Sequence, residues 1–321
     1  MKKALTGAAV TGLVLITAAC GSSGGSGSGS ASGGSGSSQS SSALPGKGKP
    51  AIVLGDKNFD EEYLLGDIYA DAFRAQGYTV DLKPNIGSSE LIDTVFQSGK
   101  INAFPEYLGE IVSTDAGDDK PIASEAQTEQ LAQAYESKHA ATVMTPVTPF
   151  FDTDELITLK TFAAKHHLST AGDLKSAGSI SLGSYSADLT RYAGYVGEKS
   201  AYGLTNMKFV PLSAGAPIYD AVDSGQVQVG DAFSTDPQLL SGKYQVLQDT
   251  KNIFGFQHVG LVIKNSLLKE EGPQFQKTYA QVTDLLTTPV MQALNKAVAL
   301  DQEDPNTVAQ AFLKANHLLG S

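Results

Sequence analysis

Three polar stretches of the sequence carry the side chains that could contact a small ligand. They are residues 55–61 (GDKNFDE), 102–109 (NAFPEYLG) and 232–236 (AFSTD), and each comes directly after a segment predicted to be a buried strand. Loops at the carboxyl ends of parallel strands face the crevice in which α/β folds bind ligands. Any one stretch alone would be an ordinary polar loop, but the three together predict a binding cleft.

The sequence has no pattern typical of a catalytic or metal site. None of its histidines has a second histidine or a cysteine at the spacing of metal ligands, and it contains neither a Gly-x-Ser-x-Gly elbow nor a phosphate-binding P-loop. We therefore expect no enzyme activity, no cofactor and no bound metal, and we predict structural roles for all the histidines. These are His139, His166, His167, His258 and His317.

Residues 1–19 are predicted to be a secretory signal peptide. Lys2 and Lys3 precede an apolar run over residues 4–18, which is too short and too interrupted for a membrane span. The run leads into the sequence TAAC, which ends at Cys20, and small residues directly before a cysteine resemble the lipobox of bacterial lipoproteins. The alternative is ordinary signal cleavage beside a chance cysteine.

The cysteine content favours lipidation over chance. Cys20 is the sole cysteine of 321 residues. A secreted protein with one thiol cannot form an internal disulfide, and an odd exposed thiol is a liability. Cys20 is therefore predicted to carry lipid, which would hold the protein on the extracytoplasmic face of the cell membrane.

A low-complexity segment separates Cys20 from the rest of the chain. Residues 21–43 contain only Gly, Ser, Ala and one Gln. Such a segment cannot bury a core and behaves as a flexible coil. Residues 20–46 are therefore predicted to be the lipidated cysteine and a flexible tether, and ordered structure is expected to begin near Pro50.

The net charge restricts the partners. It is −11 for the full chain, and removal of Lys2 and Lys3 with the signal peptide brings it to −13. A negative protein disfavours nucleic acid and anionic lipid as partners. The predicted lipid anchor is then the only expected membrane contact.

Hydrophobic periodicity predicts alternating strands and helices. Residues 51–104 read as strand, helix, strand, helix, strand, which is a parallel α/β unit. The alternation continues with strands predicted at 179–182, 227–232, 244–247 and 258–263, and the chain ends in helices. The fold class predicted from the residues is α/β.

Taken in order and with their spacing, the three polar stretches resemble a known family. They are similar to the osmoprotectant-type substrate-binding proteins of ABC importers, which serve glycine betaine, choline and carnitine. The resemblance runs from about residue 52 to residue 313. It implies a monomer with the type II periplasmic-binding-protein fold, in which two α/β lobes enclose a ligand cleft. Lobe 1 would comprise residues 47–147 and 259–321, and lobe 2 residues 148–258.

The resemblance also implies an aromatic cage for a quaternary ammonium group. Tyr107 matches one tyrosine of the family cage, whereas Glu155, Phe233 and Gln257 stand where the family has others. An aromatic face attracts a cation, more strongly when both are desolvated. Glu155 would either pair with a ligand cation or be a solvated side chain at a hinge.

Further ligand contacts are carried over from the same family. Arg191 is the arginine nearest the place from which the family grips a ligand carboxylate, a task that suits a bidentate guanidinium. Lys57, Asn58 and Phe59 are expected at the cleft rim. The family segment that follows Phe233 corresponds here to Ser234, Thr235 and Asp236, and Asp236 has a helix-capping role as its alternative.

The resemblance predicts a solute receptor that serves an ABC permease and its ATPase subunit. The solute would be a quaternary ammonium compound or a related small molecule. The alternative is a ligand-sensing or surface lipoprotein on the same fold that binds a different small molecule without transport. An enzyme on this fold is disfavoured because the chain has no evident pair of nucleophile and base.

Replacement of Cys20 tests the anchor. Cys20→Ala should release the protein from the membrane fraction as a soluble form, because the acyl chains are then absent. Fractionation of cells with immunodetection measures the release, and mass spectrometry of the mature wild-type N-terminus is the control. An unmodified N-terminus elsewhere in the chain would contradict lipidation.

Overall fold

The computed structural model describes residues 43–118 and 122–319. The predicted signal peptide, Cys20 and the tether up to residue 42 lie outside the described residues. None of the helices in the described ranges combines the length and the apolar character that crossing a bilayer requires.

Ordered structure begins before the predicted position. Gly46 is buried, and its backbone N–H donates to the carbonyl of Gln76 over 2.9 Å. A Cβ at Gly46 would lie only 2.2 Å from the backbone nitrogen of Tyr78, so a side chain would not fit there. The flexible tether was predicted to extend to residue 46, so the predicted boundary lies too late in the chain. Amino-acid composition does not distinguish a glycine that permits close packing from a glycine in a flexible segment.

The structure alternates strands and helices. The strands, in chain order, are β1 (Ile52–Gly55), β2 (Val80–Lys83), β3 (Ala103–Tyr107), β4 (Ala141–Val143), β5 (Asp154–Leu159), β6 (Ile180–Tyr185), β7 (Met207–Leu212), β8 (Val229–Phe233), β9 (Tyr244–Leu247) and β10 (Val259–Lys264). The α-helices are α1 (Asp60–Ala75), α2 (Ser89–Gln97), α3 (Leu108–Glu110), α4 (Glu125–Lys138), α5 (Lys160–His166), α6 (Tyr195–Tyr202), α7 (Ala216–Asp223), α8 (Asn265–Glu271), α9 (Pro273–Thr283), α10 (Thr288–Ala299) and α11 (Pro305–Ala315).

Short helices of other types complete the secondary structure. A π-helix, Ile111–Asp115, continues α3. The 3₁₀-helices are Ala171–Ser176, Ser186–Leu189 and Pro237–Ser241.

The strands form two separate five-stranded sheets. The first has the order β2-β1-β3-β10-β4, and the second has the order β7-β6-β8-β5-β9. In the first sheet β10 runs antiparallel to β3 and β4, and in the second β5 runs antiparallel to β8 and β9. The remaining pairs are parallel. We call each sheet with its packed helices the first lobe and the second lobe.

Each sheet has its own apolar core. In the first lobe an aromatic cluster joins α1 to α9, with the rings of Phe73 and Phe275 stacked 4.3 Å apart and those of Tyr69 and Tyr279 stacked 5.5 Å apart. The core of the second lobe includes Leu156, Leu182 and Val229. Separate cores explain why the chain forms two lobes around one cleft.

The chain crosses between the lobes twice, and the two crossings lie side by side. One crossing runs from β4 to β5 and the other from β9 to β10. Phe151 and His258 form an antiparallel bridge between them, and the Asp152 backbone N–H donates to the Gln257 carbonyl over 3.1 Å. The crossings therefore form a short two-stranded link beneath the cleft.

The strand directions place the polar stretches at the cleft. Parallel strands β1 and β3 of the first lobe and β6 and β8 of the second direct their carboxyl ends to it. The side chains that follow these strands are thus brought together from distant parts of the sequence, as the crevice rule for α/β folds predicts.

Candidate ligand-binding cleft

A cavity of about 830 Å³ lies between the two lobes. Both lobes contribute side chains to its wall. Nine residues predicted from the sequence to contact a ligand line this cavity. They are Lys57, Asn58, Phe59, Tyr107, Arg191, Phe233, Thr235, Asp236 and Gln257.

Two predicted residues, Glu155 and Ser234, do not line the cavity. Glu155 lies in β5 opposite Ala232, and its neighbour Asp154 lines the cavity instead. Successive side chains of a strand point to opposite faces of the sheet, so Asp154 and Glu155 cannot both face the cavity. Ser234 accepts from the Thr153 backbone N–H and donates to the Phe151 carbonyl, and it thereby fastens the crossing segment.

The first lobe presents a stacked aromatic pair. Phe59 precedes α1 and Tyr107 ends β3, and their ring centroids lie 6.2 Å apart with 25° between the planes. Phe59 is 39% exposed, whereas Tyr107 is buried, and both line the cavity.

The second lobe presents an equivalent pair. Tyr185 ends β6 and Phe233 ends β8, and their centroids lie 6.1 Å apart, again with 25° between the planes. Tyr185 was not among the residues predicted to contact a ligand. The sequence feature that could have predicted it is an aromatic residue just after a predicted strand, directly following Gly183 and Ser184.

Lys57 is buried beneath the aromatic pair of the first lobe. Its ammonium group lies 4.3 Å from the Tyr107 ring centroid and is held by the carboxylates of Glu106 and Glu62. Ser89 contacts the same ammonium group at 3.2 Å. Burial alone would lower the pKa of Lys57, but the two carboxylates offset it, and the pKa is raised above its ordinary value.

A hydrogen-bond network connects Tyr107 to the second lobe. The Tyr107 hydroxyl donates to Glu61 over 2.8 Å, and the Asn295 amide donates to the other oxygen of Glu61 over 2.7 Å. Asn295 also reaches the Thr235 carbonyl at 3.2 Å, and the Thr235 hydroxyl donates to Asp152 over 2.6 Å. Neither Asn295 nor Asp152 was identified from the sequence, although both line the cavity.

Two predicted residues mark the boundary between the lobes. Gln257 is buried in the second crossing, and its side-chain oxygen accepts from the Glu110 backbone N–H over 3.2 Å. Arg191 follows the 3₁₀-helix Ser186–Leu189 of the second lobe, and its guanidinium lies 3.9 Å from the Glu110 carboxylate of the first lobe. Arg191 therefore forms an ion pair that spans the cleft.

The wall of the cavity is acidic. Seven carboxyl side chains line it against two cationic ones, Lys57 and Arg191. The carboxyl groups are those of Asp60, Glu61, Glu90, Glu110, Asp152, Asp154 and Asp236. Burial raises the pKa of Glu61 and of Asp152. The charge of Glu61 raises the pKa of Asp152 further, so the two carboxyl groups resist simultaneous ionisation.

Asp154 adds a titratable group between the lobes. Tyr185 donates its hydroxyl hydrogen bond to Asp154 over 3.2 Å. Burial, together with the charges of Asp188 and Glu110, raises the pKa of Asp154 to about 8, against the opposing effect of Arg191. The charge of this part of the wall therefore depends on pH near neutrality.

The described residues offer no metal centre. No group of three or more His, Cys, Asp or Glu side chains in residues 43–118 and 122–319 could hold a metal ion. The arrangement is suited to a soluble organic cation, which aromatic faces and carboxylates both attract.

Comparisons with known proteins give a family match over most of the chain. A family model described as the substrate binding domain of the ABC-type glycine betaine transport system matches residues 50–315. The glycine-betaine-binding protein of Pseudomonas aeruginosa is 27% identical over 278 residues, which cover 83% of this chain and 88% of that protein. The carnitine transport binding protein OpuCC of Listeria monocytogenes is 24% identical over 282 residues, covering 86% and 91%.

Solved structures share the fold. A crystal structure described as that of a glycine betaine/carnitine/choline ABC transporter matches with a TM-score of 0.73 at 25% identity, covering 83% of this chain and 99% of that one. A glycine betaine complex of lactococcal OpuAC matches with a TM-score of 0.59 at 14% identity, covering 84% and 97%.

The raised pKa of Asp154 predicts a pH-dependent stability. A carboxyl group that binds its proton more tightly when folded stabilises the fold at low pH, and this contribution is lost as the pH rises from about 4 through about 8. Asp154→Asn cannot titrate, so its stability relative to wild type should rise by about 1–3 kcal/mol between pH 5 and pH 9. Denaturant unfolding at several pH values measures the difference.

A surface variant provides the control for this measurement. Asp220→Asn, on the exposed face of α7, makes the same chemical change away from the cleft and should show a much smaller pH effect. If the difference in unfolding free energy between Asp154→Asn and wild type stays constant from pH 5 to pH 9, the raised pKa of Asp154 is contradicted.

Proposed function

Because this chain belongs to the family of substrate-binding domains of ABC-type glycine betaine transport systems, we propose that its cleft binds a small solute with a quaternary ammonium group. The chain is a substrate-binding protein that works outside the cytoplasm with an ABC transporter, in a family of binding proteins and not of enzymes. The type II periplasmic-binding fold predicted from the sequence is confirmed.

The observation that carries the proposal is the pair of aromatic stacks. Phe59 with Tyr107 and Tyr185 with Phe233 present aromatic rings to the same cavity from opposite lobes. A quaternary ammonium group has no hydrogen-bond donor and carries apolar methyl groups, so aromatic faces are its natural partners. Each such contact stabilises the complex by about 0.5–1 kcal/mol when exposed and by about 2 kcal/mol or more when desolvated.

The charge of the wall supports the same ligand class. The ammonium of Lys57 is neutralised by Glu106 and Glu62, so it does not make the floor of the cleft positive. Asp60 and Asp236 add carboxyl groups to the wall, and among the described residues neither forms an ion pair with Lys57 or Arg191. Burial raises the pKa of Asp236, which accepts hydrogen bonds from Tyr219 and from the Phe233 backbone N–H. The acidic wall attracts a cation over distance as well as in contact.

The two crossings are proposed as the hinge of lobe closure. Closure would bring the two aromatic pairs together on the ligand and exclude water, as hinge motions do in binding proteins of this type. For this motion we propose the division predicted from the sequence, with residues 47–147 and 259–321 in one moving unit and residues 148–258 in the other. Gly46 would move with the first unit, because its N–H is bonded to the Gln76 carbonyl.

We propose the membrane anchor and the transporter partners from the sequence and from the family of the chain. A lipid on Cys20 would hold the protein at the outer surface of the cell membrane, and the segment up to residue 42 would let the binding domain reach its transporter. The partners would be an ABC permease and its ATPase subunit, with the protein acting as a monomer.

Removal of one ring from each lobe tests the site. Tyr107→Ala and Tyr185→Ala should each weaken binding of choline and glycine betaine about tenfold, because each loses a desolvated cation–π contact. Isothermal titration calorimetry measures the affinities, and thermal unfolding of each variant verifies that it is folded.

The control is an aromatic side chain outside the cavity. Tyr63→Ala, on α1, removes a ring of the same size and should leave both affinities unchanged. Unchanged affinity in a folded Tyr185→Ala variant would place the ligand elsewhere.

A further inference from the structure

Helix α10 presents two different faces to its surroundings. Met291, Leu294 and Val298 recur at helical spacing and lie in the apolar core of the first lobe. Gln292 and Asn295 are three positions apart, so they share a neighbouring face of the same helix. The amide side chains of this second face donate hydrogen bonds to the second lobe.

Both amide groups bond to backbone carbonyls just beyond β8. Gln292 Nε2 donates to the Ser234 carbonyl over 2.9 Å, and Asn295 Nδ2 donates to the Thr235 carbonyl over 3.2 Å. We call these two hydrogen bonds the α10 contact. Because α10 belongs to the first lobe and β8 to the second, the α10 contact joins the lobes in addition to the two crossings.

The other polar groups of this backbone segment are fastened to the first crossing. The Ser234 N–H donates to the Thr153 carbonyl over 3.0 Å, and the Ser234 hydroxyl donates to the Phe151 carbonyl over 2.8 Å. The Thr235 hydroxyl donates to Asp152 over 2.6 Å. The segment therefore moves with β8 and the crossing, and the α10 contact ties it to a helix of the first lobe.

Gln292 takes part in the α10 contact from outside the cavity. Asn295 lines the cavity and also donates to Glu61, whereas Gln292 is half-buried and is not among the described residues that line the cavity. A change at Gln292 therefore alters the connection between the lobes and leaves the wall around the ligand in place.

We propose that Gln292 is a positioning residue of the hinge, which stabilises the arrangement in which the aromatic pairs of both lobes face one cavity. This inference rests on the proposed function, because it concerns the affinity of that same cleft. Rotation of the second lobe about the crossings moves the segment after β8 away from α10 and breaks the bond to Gln292. A hydrogen bond made in the binding-competent arrangement raises the population of that arrangement, and the apparent affinity for any ligand rises with it.

The test compares Gln292→Met with wild type on the purified full-length protein. The substitution keeps the length of the side chain and removes its N–H donor. Loss of one neutral hydrogen bond should weaken binding of choline and of glycine betaine about three- to tenfold. The factor should be the same for both ligands, because the population of lobe arrangements in the free protein does not depend on which ligand is added. Isothermal titration calorimetry measures the affinities, and thermal unfolding verifies that the variant is folded.

Two further variants separate the hydrogen bond from other effects of substitution. Gln292→Lys retains an N–H donor of similar reach and should keep most of the wild-type affinity for both ligands. Gln281→Met makes the same chemical change as Gln292→Met at an exposed position of α9, and it should leave both affinities unchanged.

The outcomes distinguish this inference from the proposed function. Unchanged affinities in a folded Gln292→Met variant would overturn the inference and leave the proposed function standing, as would a loss confined to one ligand. Equal losses in Gln292→Met and Gln292→Lys would overturn the role of the hydrogen bond. If wild type binds neither ligand, the proposed function fails, and this inference fails with it.

Discussion

The buried ammonium group of Lys57 is the interaction on which the cleft floor depends. It is held by Glu106 and Glu62, and it lies against the ring of Tyr107. Removing one partner of a buried ion pair typically costs about 3–5 kcal/mol, because the other charge is left uncompensated. Lys57 precedes α1 and Glu106 lies in β3, so the pair fixes the start of that helix against the sheet. The position of Phe59 and Tyr107 follows from it.

The rest of the site extends from that floor toward the second lobe. Tyr107 is connected through Glu61 and Asn295 to the backbone of Thr235, which lies just beyond β8. An aromatic ring held at its hydroxyl end cannot turn away from the cavity, so little ordering is needed when the ligand arrives. The acidic wall around the rings then adds long-range attraction to short-range contact. In the proposed function, rigid rings and carboxyl groups of the wall together would recognise a quaternary ammonium group.

The sequence predicted the fold and most of the cleft because both depend on local signals. Lys57, Tyr107 and Phe233 follow predicted strands, and strand ends converge in this architecture. Two failures have physical causes. The carboxylate at the cavity is Asp154 and not Glu155, since a shift of one residue reverses the face of a strand. Asn295 contacts Glu61 across 234 positions of sequence, and such a contact depends on how helices dock, which no local pattern reports.

Comparison of choline with its uncharged carbon analogue, in which a tert-butyl group replaces trimethylammonium, tests the central claim most directly. The two molecules have nearly the same shape and apolar surface, so calorimetric titration of both isolates the contribution of positive charge. If aromatic rings and carboxylates recognise a cation, choline should bind about tenfold or more tightly than the analogue. Equal affinities would show that the cleft recognises apolar shape and would contradict the account.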